Sequence, residues 1–176
     1  IGNLHLTGFG SRVRLDGSVQ LRDTLTEEAD AIGSIQLGGL HRTPSELENR
    51  RSIAETAYGG RAEWKDRAFS VGATYYNQQF SAELNPNLRA DNQFAFQGTE
   101  NNILSFDWDW VFRNINFFGE AARSRSGGIA ATAGVLTSLS PQLDLAISAR
   151  SFDADYHSFK SYAFAERPVA VANERG

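Results

Sequence analysis

The sequence predicts an all-β chain of antiparallel strands, and three observations lead to this prediction. Apolar and polar residues alternate with a period of two along several segments, as in strands whose two faces meet different surroundings. These segments are about ten residues long, the length that a tilted strand needs to cross a bilayer. Their connections are mostly short at one end and long at the other. We therefore predict an antiparallel up-and-down transmembrane β-barrel, or a barrel segment of about eight strands.

The composition bounds the function classes. The chain has 176 residues, enough for one domain, and we predict a single barrel segment over 1–176. It contains no Cys, which excludes disulfide scaffolds and thiolate metal sites. The net charge of −4 argues against a general nucleic-acid binder, and no run approaches the roughly 18 apolar residues of a spanning helix. Since the chain starts at Ile1 without Met and stops in a polar stretch, we expect it to be truncated at both ends.

The strongest strand pattern runs from Leu104 to Phe112 and returns from Ile115 to Ser124. Arg113-Asn114 is a plausible two-residue turn between the two strands. If Phe112 pairs with Ile115, then Trp110 faces Phe117 and Trp108 faces Gly119, so that a large ring lies beside a glycine. Rings concentrated on one face suit a lipid-facing surface with an aromatic belt. The predicted belt consists of Trp64, Phe69, Trp108, Trp110, Phe112 and Phe117.

Three further hairpins are predicted from weaker alternation. One runs from Tyr58 to Lys65, turns at Asp66-Arg67 and returns from Phe69 to Tyr75. Another runs from Ile129 to Val135, turns at Ser140-Pro141-Gln142 and returns from Leu143 to Arg150. The weakest comprises Asn3 to Arg14, a turn at Asp16-Gly17 and a strand from Ser18 to Leu25.

The long connections are 26–56, 77–102 and 153 onward, and the first of them predicts a helix. Thr43 can be an N-cap, Pro44 fits the first helical position and Glu46 completes a capping box. We expect a short helix over about 43–51 that either folds over the barrel mouth, contacts a partner or only orders the loop. The short turns would be periplasmic and the long loops extracellular.

Three segments resemble a known family. They are Gly39 to Leu47, Phe118 to Ala122, and a discontinuous segment made of 149–152, 156–166 and 173–176. Together they resemble the barrel region of Bacteroidota outer-membrane proteins that carry helix–hairpin–helix repeats ahead of the barrel, over about Gly38 to the end. The resemblance implies a bacterial outer-membrane location and a barrel architecture. The helix–hairpin–helix part has no counterpart here, so no nucleic-acid partner is carried over to this chain.

The candidate site is the polar face of the predicted barrel. Its lumen-facing residues are Arg61, Glu63, Asp107, Asp109, Glu120 and Arg150. In the register above, Asp107 lies opposite Glu120, an unfavourable pair unless something neutralises it. The pair could be a cation or selectivity patch, or it could be neutralised by salt bridges to Arg61, Lys65 or Arg150; paired carboxylates could also serve glycoside hydrolysis. We identify no catalytic, cofactor or metal-binding residues, because His5, His41 and His157 are scattered and no nucleophile motif is complete.

The first functional hypothesis is a non-enzymatic outer-membrane barrel, structural or transport, with a charged polar lumen for solute passage or envelope assembly. Its partners would be the outer-membrane lipid bilayer and an envelope protein. The second hypothesis is a binding module that acts through the 43–51 helix and the loop from Asp153 onward. A membrane-embedded hydrolase and a soluble β-sandwich are further alternatives. The sandwich would have to bury Trp108, Trp110, Phe112 and Phe117 in one core.

Overall fold

A computed structural model describes residues 3–22, 29–36, 41–90, 92–160 and 174–175. The described chain is almost entirely β, with one short helix, as predicted. The strands are β1 (Asn3–Arg22), β2 (Ala29–Gln36), β3 (Ile53–Lys65), β4 (Phe69–Leu84), β5 (Gly98–Phe112), β6 (Ile115–Ser124), β7 (Ile129–Ser140), β8 (Leu143–Phe152) and β9 (Glu174–Arg175), and the helix is α1 (Pro44–Glu48).

The strands form one hydrogen-bonded sheet of nine strands in the order β2-β1-β3-β4-β5-β6-β7-β8-β9. From β3 onward, neighbours in sequence are therefore neighbours in the sheet, which is the predicted up-and-down connectivity. The chain forms two compact units. The first unit is Ile1–Phe9, Gly59–Tyr76 and Asn102–Gly176, and the second unit is Gly10–Tyr58 and Asn77–Asn101.

The predicted register of the central hairpin is confirmed. Phe112 pairs with Ile115, Trp110 with Phe117 and Trp108 with Gly119. The turn is made by Arg113 and Asn114, and Arg113 adopts a left-handed backbone with φ of 58°. Positive φ is the conformation that two-residue hairpin turns require, because it matches the twist of the flanking strands. The other two central hairpins also turn where predicted, at 66–68 and 141–142.

The predicted turn at Asp16-Gly17 is wrong, because β1 runs without interruption from Asn3 to Arg22. Gly17 is used for close packing instead of for a turn: a Cβ there would lie 3.0 Å from Ile32 Cδ1 and 3.2 Å from Ser52 Oγ. The strand predicted over 18–25 is the continuation of β1 as far as Arg22, and its residues 23–25 lie outside the described ones. Within the predicted long loop 26–56, residues 29–36 form the additional strand β2.

The second unit has its own small core. β2 pairs with β1 in antiparallel fashion and with β4 in parallel, through Ala31 with Glu83 and Ile32 with Leu84. These pairings link β1, β2, β3 and β4 into a ring. Its buried apolar residues are Ala29, Ile32, Ile53, Ala57, Phe80, Ala82 and Leu84.

The loop helix begins as the sequence predicts. The Thr43 side chain accepts a hydrogen bond from the Glu46 backbone N–H, and the Glu46 side chain accepts one from the Thr43 N–H, which completes the capping box. The helix ends at Glu48, earlier than expected, with Asn49 as its C-cap. In the part of the chain that the structure describes, no helix has the length and apolar character needed to cross a membrane.

Candidate functional site

A row of polar residues crosses the first unit on one face of the sheet. Asp107 on β5 is paired with Glu120 on β6, as predicted. Glu120 is paired with Thr132 on β7, and Thr132 with Arg150 on β8. Paired residues in a ladder share a face, so this row carries two carboxylates, a hydroxyl and a guanidinium side by side.

Arg61 on β3 neutralises one of the two carboxylates. Its Nη1 and Nη2 donate to the two carboxylate oxygens of Asp107, the Nη2–Oδ2 distance being 2.8 Å. Nη2 also donates to Glu63 Oε1 at 3.1 Å, and Nη1 to Thr74 Oγ1 at 3.2 Å. A bidentate arginine–carboxylate pair is among the stronger charge-assisted contacts. The salt-bridge interpretation of the acidic pair therefore accounts for Asp107.

Gly72 leaves the space that the Arg61 guanidinium occupies. A Cβ at Gly72 would lie 2.4 Å from Arg61 Nη2, so the guanidinium lies directly on the β4 backbone. This packing explains how a long charged side chain of β3 reaches across β4 to a carboxylate on β5. Arg61, Glu63 and Asp107 are each about 25 to 32% exposed, so water still reaches the cluster.

The remaining carboxylates of the face are placed separately. Asp109 accepts a hydrogen bond from Asn116 Nδ2 at 3.2 Å. Glu120 is exposed and is not part of the Arg61 cluster. Among the described residues, no group of three or more His, Asp or Glu side chains is arranged to hold a metal ion.

The opposite face of the first unit is apolar and aromatic. The residues of the predicted belt on β5 and β6 share this face, because Trp110 pairs with Phe117 and Phe112 with Ile115. The Trp110 and Phe117 rings stack with centroids 5.5 Å apart, and the Trp108 ring lies over Gly119. Trp64 and Phe69 flank the 66–68 turn and are exposed, as are Trp110 and Phe112, while Trp108 and Phe117 are half-buried.

After β8 the chain folds back against the sheet. We call Asp153–Lys160 the strap. The sequence predicts this segment as part of the long loop from Asp153 onward, which the second hypothesis uses for partner recognition. Tyr156 of the strap is buried with Phe152, Ala122 and Ala130. Burial, and secondarily the nearby Glu120 carboxylate, raises the pKa of Tyr156 to about 12.

In the second unit, the side chain of Asp16, a residue of β1, holds the loop that contains α1 against this strand. One carboxylate oxygen accepts from the Arg51 N–H at 2.8 Å, and the other is 2.7 Å from His41 Nε2. The Arg51 hydrogen bond, followed by the one with His41, lowers the pKa of Asp16. The Gly17 N–H donates to the Asn49 carbonyl oxygen at 3.0 Å, so the end of the helix is also held. We call these contacts the loop latch.

Comparisons of the chain with protein-family models, with curated proteins and with solved structures gave no match.

Proposed function

We propose that this chain is part of a bacterial outer-membrane β-barrel with a structural or transport role, in solute passage or envelope assembly. One observation carries the proposal: the apolar face of the first unit is open to the surroundings instead of being packed in a core. Apart from Arg123, the charged residues of β5 to β8 in this unit gather on one face, while the largest apolar side chains of the other are open to the surroundings. Leu104 is 60% exposed, Ile147 61% and Trp110 48%.

This distribution supports a bilayer as the partner of the apolar face. Soluble monomers rarely expose contiguous apolar patches of more than a few hundred Å². Here exposed or half-buried apolar residues follow one another across registered strands, as in the row of Trp110, Phe117, Val135 and Ile147. Outer-membrane barrels place such residues toward lipid and polar residues toward the lumen. A soluble β-sandwich would bury Trp110 and Phe112, which are both 48% exposed.

The sequence resemblance to Bacteroidota outer-membrane barrels points to the same location. In that setting Arg61, Glu63, Asp107, Asp109, Glu120 and Arg150 would line the lumen, and Trp64, Phe69, Trp108, Trp110, Phe112 and Phe117 would form the lipid-facing belt. Mixed charge with internal salt bridges is the usual character of such an interior. The proposal includes no catalytic step and no nucleic-acid partner.

The first test is the extraction behaviour of the full-length protein. We expect it to sediment with outer membranes, to require detergent for release, and to migrate as a folded band that shifts on boiling. A protein that is released by salt or alkali and is indifferent to detergent would overturn the membrane assignment.

The second test separates transport from a purely structural role. In planar bilayers, replacing Asp107 with Asn and Glu120 with Gln should reduce the preference for cations, because both changes remove negative charge from the polar row. The matched control is Asp144→Asn, which removes one carboxylate beside the 141–142 turn, away from that row. If neither the wild-type protein nor any variant conducts ions, the transport role is refuted and only the structural role remains.

A second candidate function is recognition of an envelope protein through the long loops. It is favoured by Leu47, which is 54% exposed on a capped helix that the loop latch fixes to β1. An exposed apolar side chain on an anchored helix is a usable contact point. Leu47→Asp should abolish co-purification of the partner, whereas Ser45→Ala on the same helix should not. Equal recovery with both variants would remove this candidate.

A further inference from the structure

The strap is attached to the β6–β7 turn by a set of specific contacts. The Ile129 N–H donates to Asp153 Oδ2 at 3.0 Å, and the Asp153 N–H donates to the Ile129 carbonyl oxygen at 2.9 Å. Further along, the His157 N–H donates to Ser124 Oγ at 3.3 Å, and Ser126 Oγ donates to the Asp155 carbonyl oxygen at 2.5 Å. The strap is therefore held at its beginning and in its middle.

Two residues make this docking possible. Tyr156 is only 4% exposed and anchors the strap in the small core of the first unit. Gly128 provides the contact surface: a Cβ there would lie 2.4 Å from the Tyr156 nitrogen and 2.5 Å from the Asp155 carbonyl carbon. Because both nearby atoms belong to the backbone, a side chain at Gly128 cannot be accommodated without moving the strap.

The docked strap covers part of the polar face. Together they line an open groove with a volume of about 250 Å³. On the sheet side it is lined by Thr74, Tyr76, Ile103, Ser105, Glu120 and Ala122, and on the strap side by Tyr156, Ser158 and Lys160. Hydroxyl groups thus line both walls, with a carboxylate on one wall and an ammonium group on the other.

We propose that the strap is a constriction that determines which solutes pass along the polar face. It would admit small solutes and exclude bulky ones, since the docked strap narrows the space beside Glu120 to a groove of about 250 Å³. Selectivity in pores follows from diameter and from the donors, acceptors and charges of the lining. This inference rests on the proposed transport role and specifies the element that limits it.

A loop that only connected strands would not need to face the sheet in this way. Connecting segments normally run over the surface and leave few buried groups. The strap instead buries Tyr156 against the apolar cluster of Ala122, Ala130 and Phe152, and it also buries Ser158, which is 7% exposed. Its position narrows the space next to Glu120.

The docking is tested first, by a readout that does not depend on transport. This chain contains no Cys, so Ser158→Cys introduces its only thiol. In detergent, labelling of this thiol by a water-soluble maleimide should be slow. Adding Gly128→Val should accelerate labelling by about tenfold or more, because the strap is forced off its site. Gly8→Val is the matched control, since a Cβ at Gly8 meets nothing within 4 Å.

The constriction is then tested by single-channel recording of the full chain in planar bilayers. Gly128→Val and, independently, Tyr156→Ala should each raise the conductance by about twofold and admit larger polyethylene glycols, whereas Gly8→Val should not. Tyr156→Ala protects the test against a folding defect of Gly128→Val, because it removes the anchor without adding bulk.

Each outcome decides between the proposals. Fast labelling of the Ser158→Cys variant without any further substitution would show that the strap is not docked and would overturn the inference. Fast labelling only in the strap variants, with wild-type conductance and polymer exclusion unchanged, would overturn the constriction while leaving transport intact. Absence of conductance in every variant would overturn both the transport role and the constriction.

Discussion

At the scale of single residues, Arg61 links the charges of the polar face. Its guanidinium contacts Asp107 and Glu63, and the pair with Asp107 remains a quarter to a third exposed. We therefore expect a coupling energy of only about 1 kcal/mol between Arg61→Gln and Asp107→Asn. A double-mutant cycle of urea unfolding in detergent measures it. The control cycle combines Arg61→Gln with Asp109→Asn, because the Asp109 carboxylate accepts its hydrogen bond from Asn116. Equal coupling energies in both cycles would contradict a specific ion pair between Arg61 and Asp107.

Asp16 gives the loop latch a dependence on pH. Its pKa is lowered by the Arg51 N–H and by His41, so its folded value lies below the ordinary value of about 3.9. A depressed carboxyl pKa contributes stability above the ordinary value, and this stability is lost as the pH falls through the folded pKa.

We accordingly expect the loop latch to hold at about pH 5 and to open below about pH 4. An environment-sensitive dye on Ser45→Cys should report this opening. Adding Asp16→Asn should remove the transition, and an unchanged transition in that variant would assign it to another group.

At the scale of strands and hairpins, Gly119 sets how closely the Trp108 ring packs on β6. A Cβ at Gly119 would lie 2.3 Å from Trp108 Cζ2, so Gly119→Val must displace the ring. We expect a loss of about 1–3 kcal/mol of unfolding free energy, together with a shift in tryptophan emission. Gly8→Val on β1 adds the same side chain in open space and should lose nothing. Equal stability of the two variants would mean that the contact between Trp108 and Gly119 contributes nothing to the free energy of unfolding.

The same scale shows what the sequence can and cannot predict. The β5–β6 register was predictable because bulky apolar and polar residues alternate along β5 from Leu104 to Trp110 and a two-residue turn follows Phe112. The uninterrupted strand β1 at the start of the chain was not predictable, because Asp16-Gly17 carries a strong turn signal. Tertiary contacts override this signal: Asp16 binds Arg51 and His41, and Gly17 packs against Ile32. Along β2 the alternation is disturbed by bulges, so no regular period marks it.

The candidate site likewise has contacts that the sequence could predict and contacts that it could not. The opposition of Asp107 and Glu120 follows from strand register, which local patterns encode. The contact between Arg61 and Asp107 joins residues 46 positions apart, and no local pattern encodes it. Tyr156 of the strap lies in a stretch without periodicity, so its burial depends on Gly128 and the β6–β7 turn, which only the folded chain brings near.

At the scale of the whole molecule, the question is what surrounds the apolar face. β8 offers a direct comparison, because Leu143 to Ala149 are all exposed and alternate between the two faces. Ile147 lies in the row of Val135, Phe117 and Trp110, and its neighbour Ser148 lies in the row of Gly134, Phe118 and Asp109. The two positions are neighbours on one strand, so their side chains lie at nearly the same height along it but on opposite faces of the sheet.

Arginine at these two positions should therefore have unequal effects if lipid covers the apolar face. Ile147→Arg should cost roughly 2–4 kcal/mol of folding free energy in bilayers, the range for arginine facing the membrane midplane. Ser148→Arg should stay within about 0.5 kcal/mol, as for an exposed position in a polar environment. Urea titration of both variants refolded into phospholipid vesicles measures the difference. If water covered both faces, the two exposed positions would tolerate arginine equally, and that result would refute the assignment of the aromatic face to lipid.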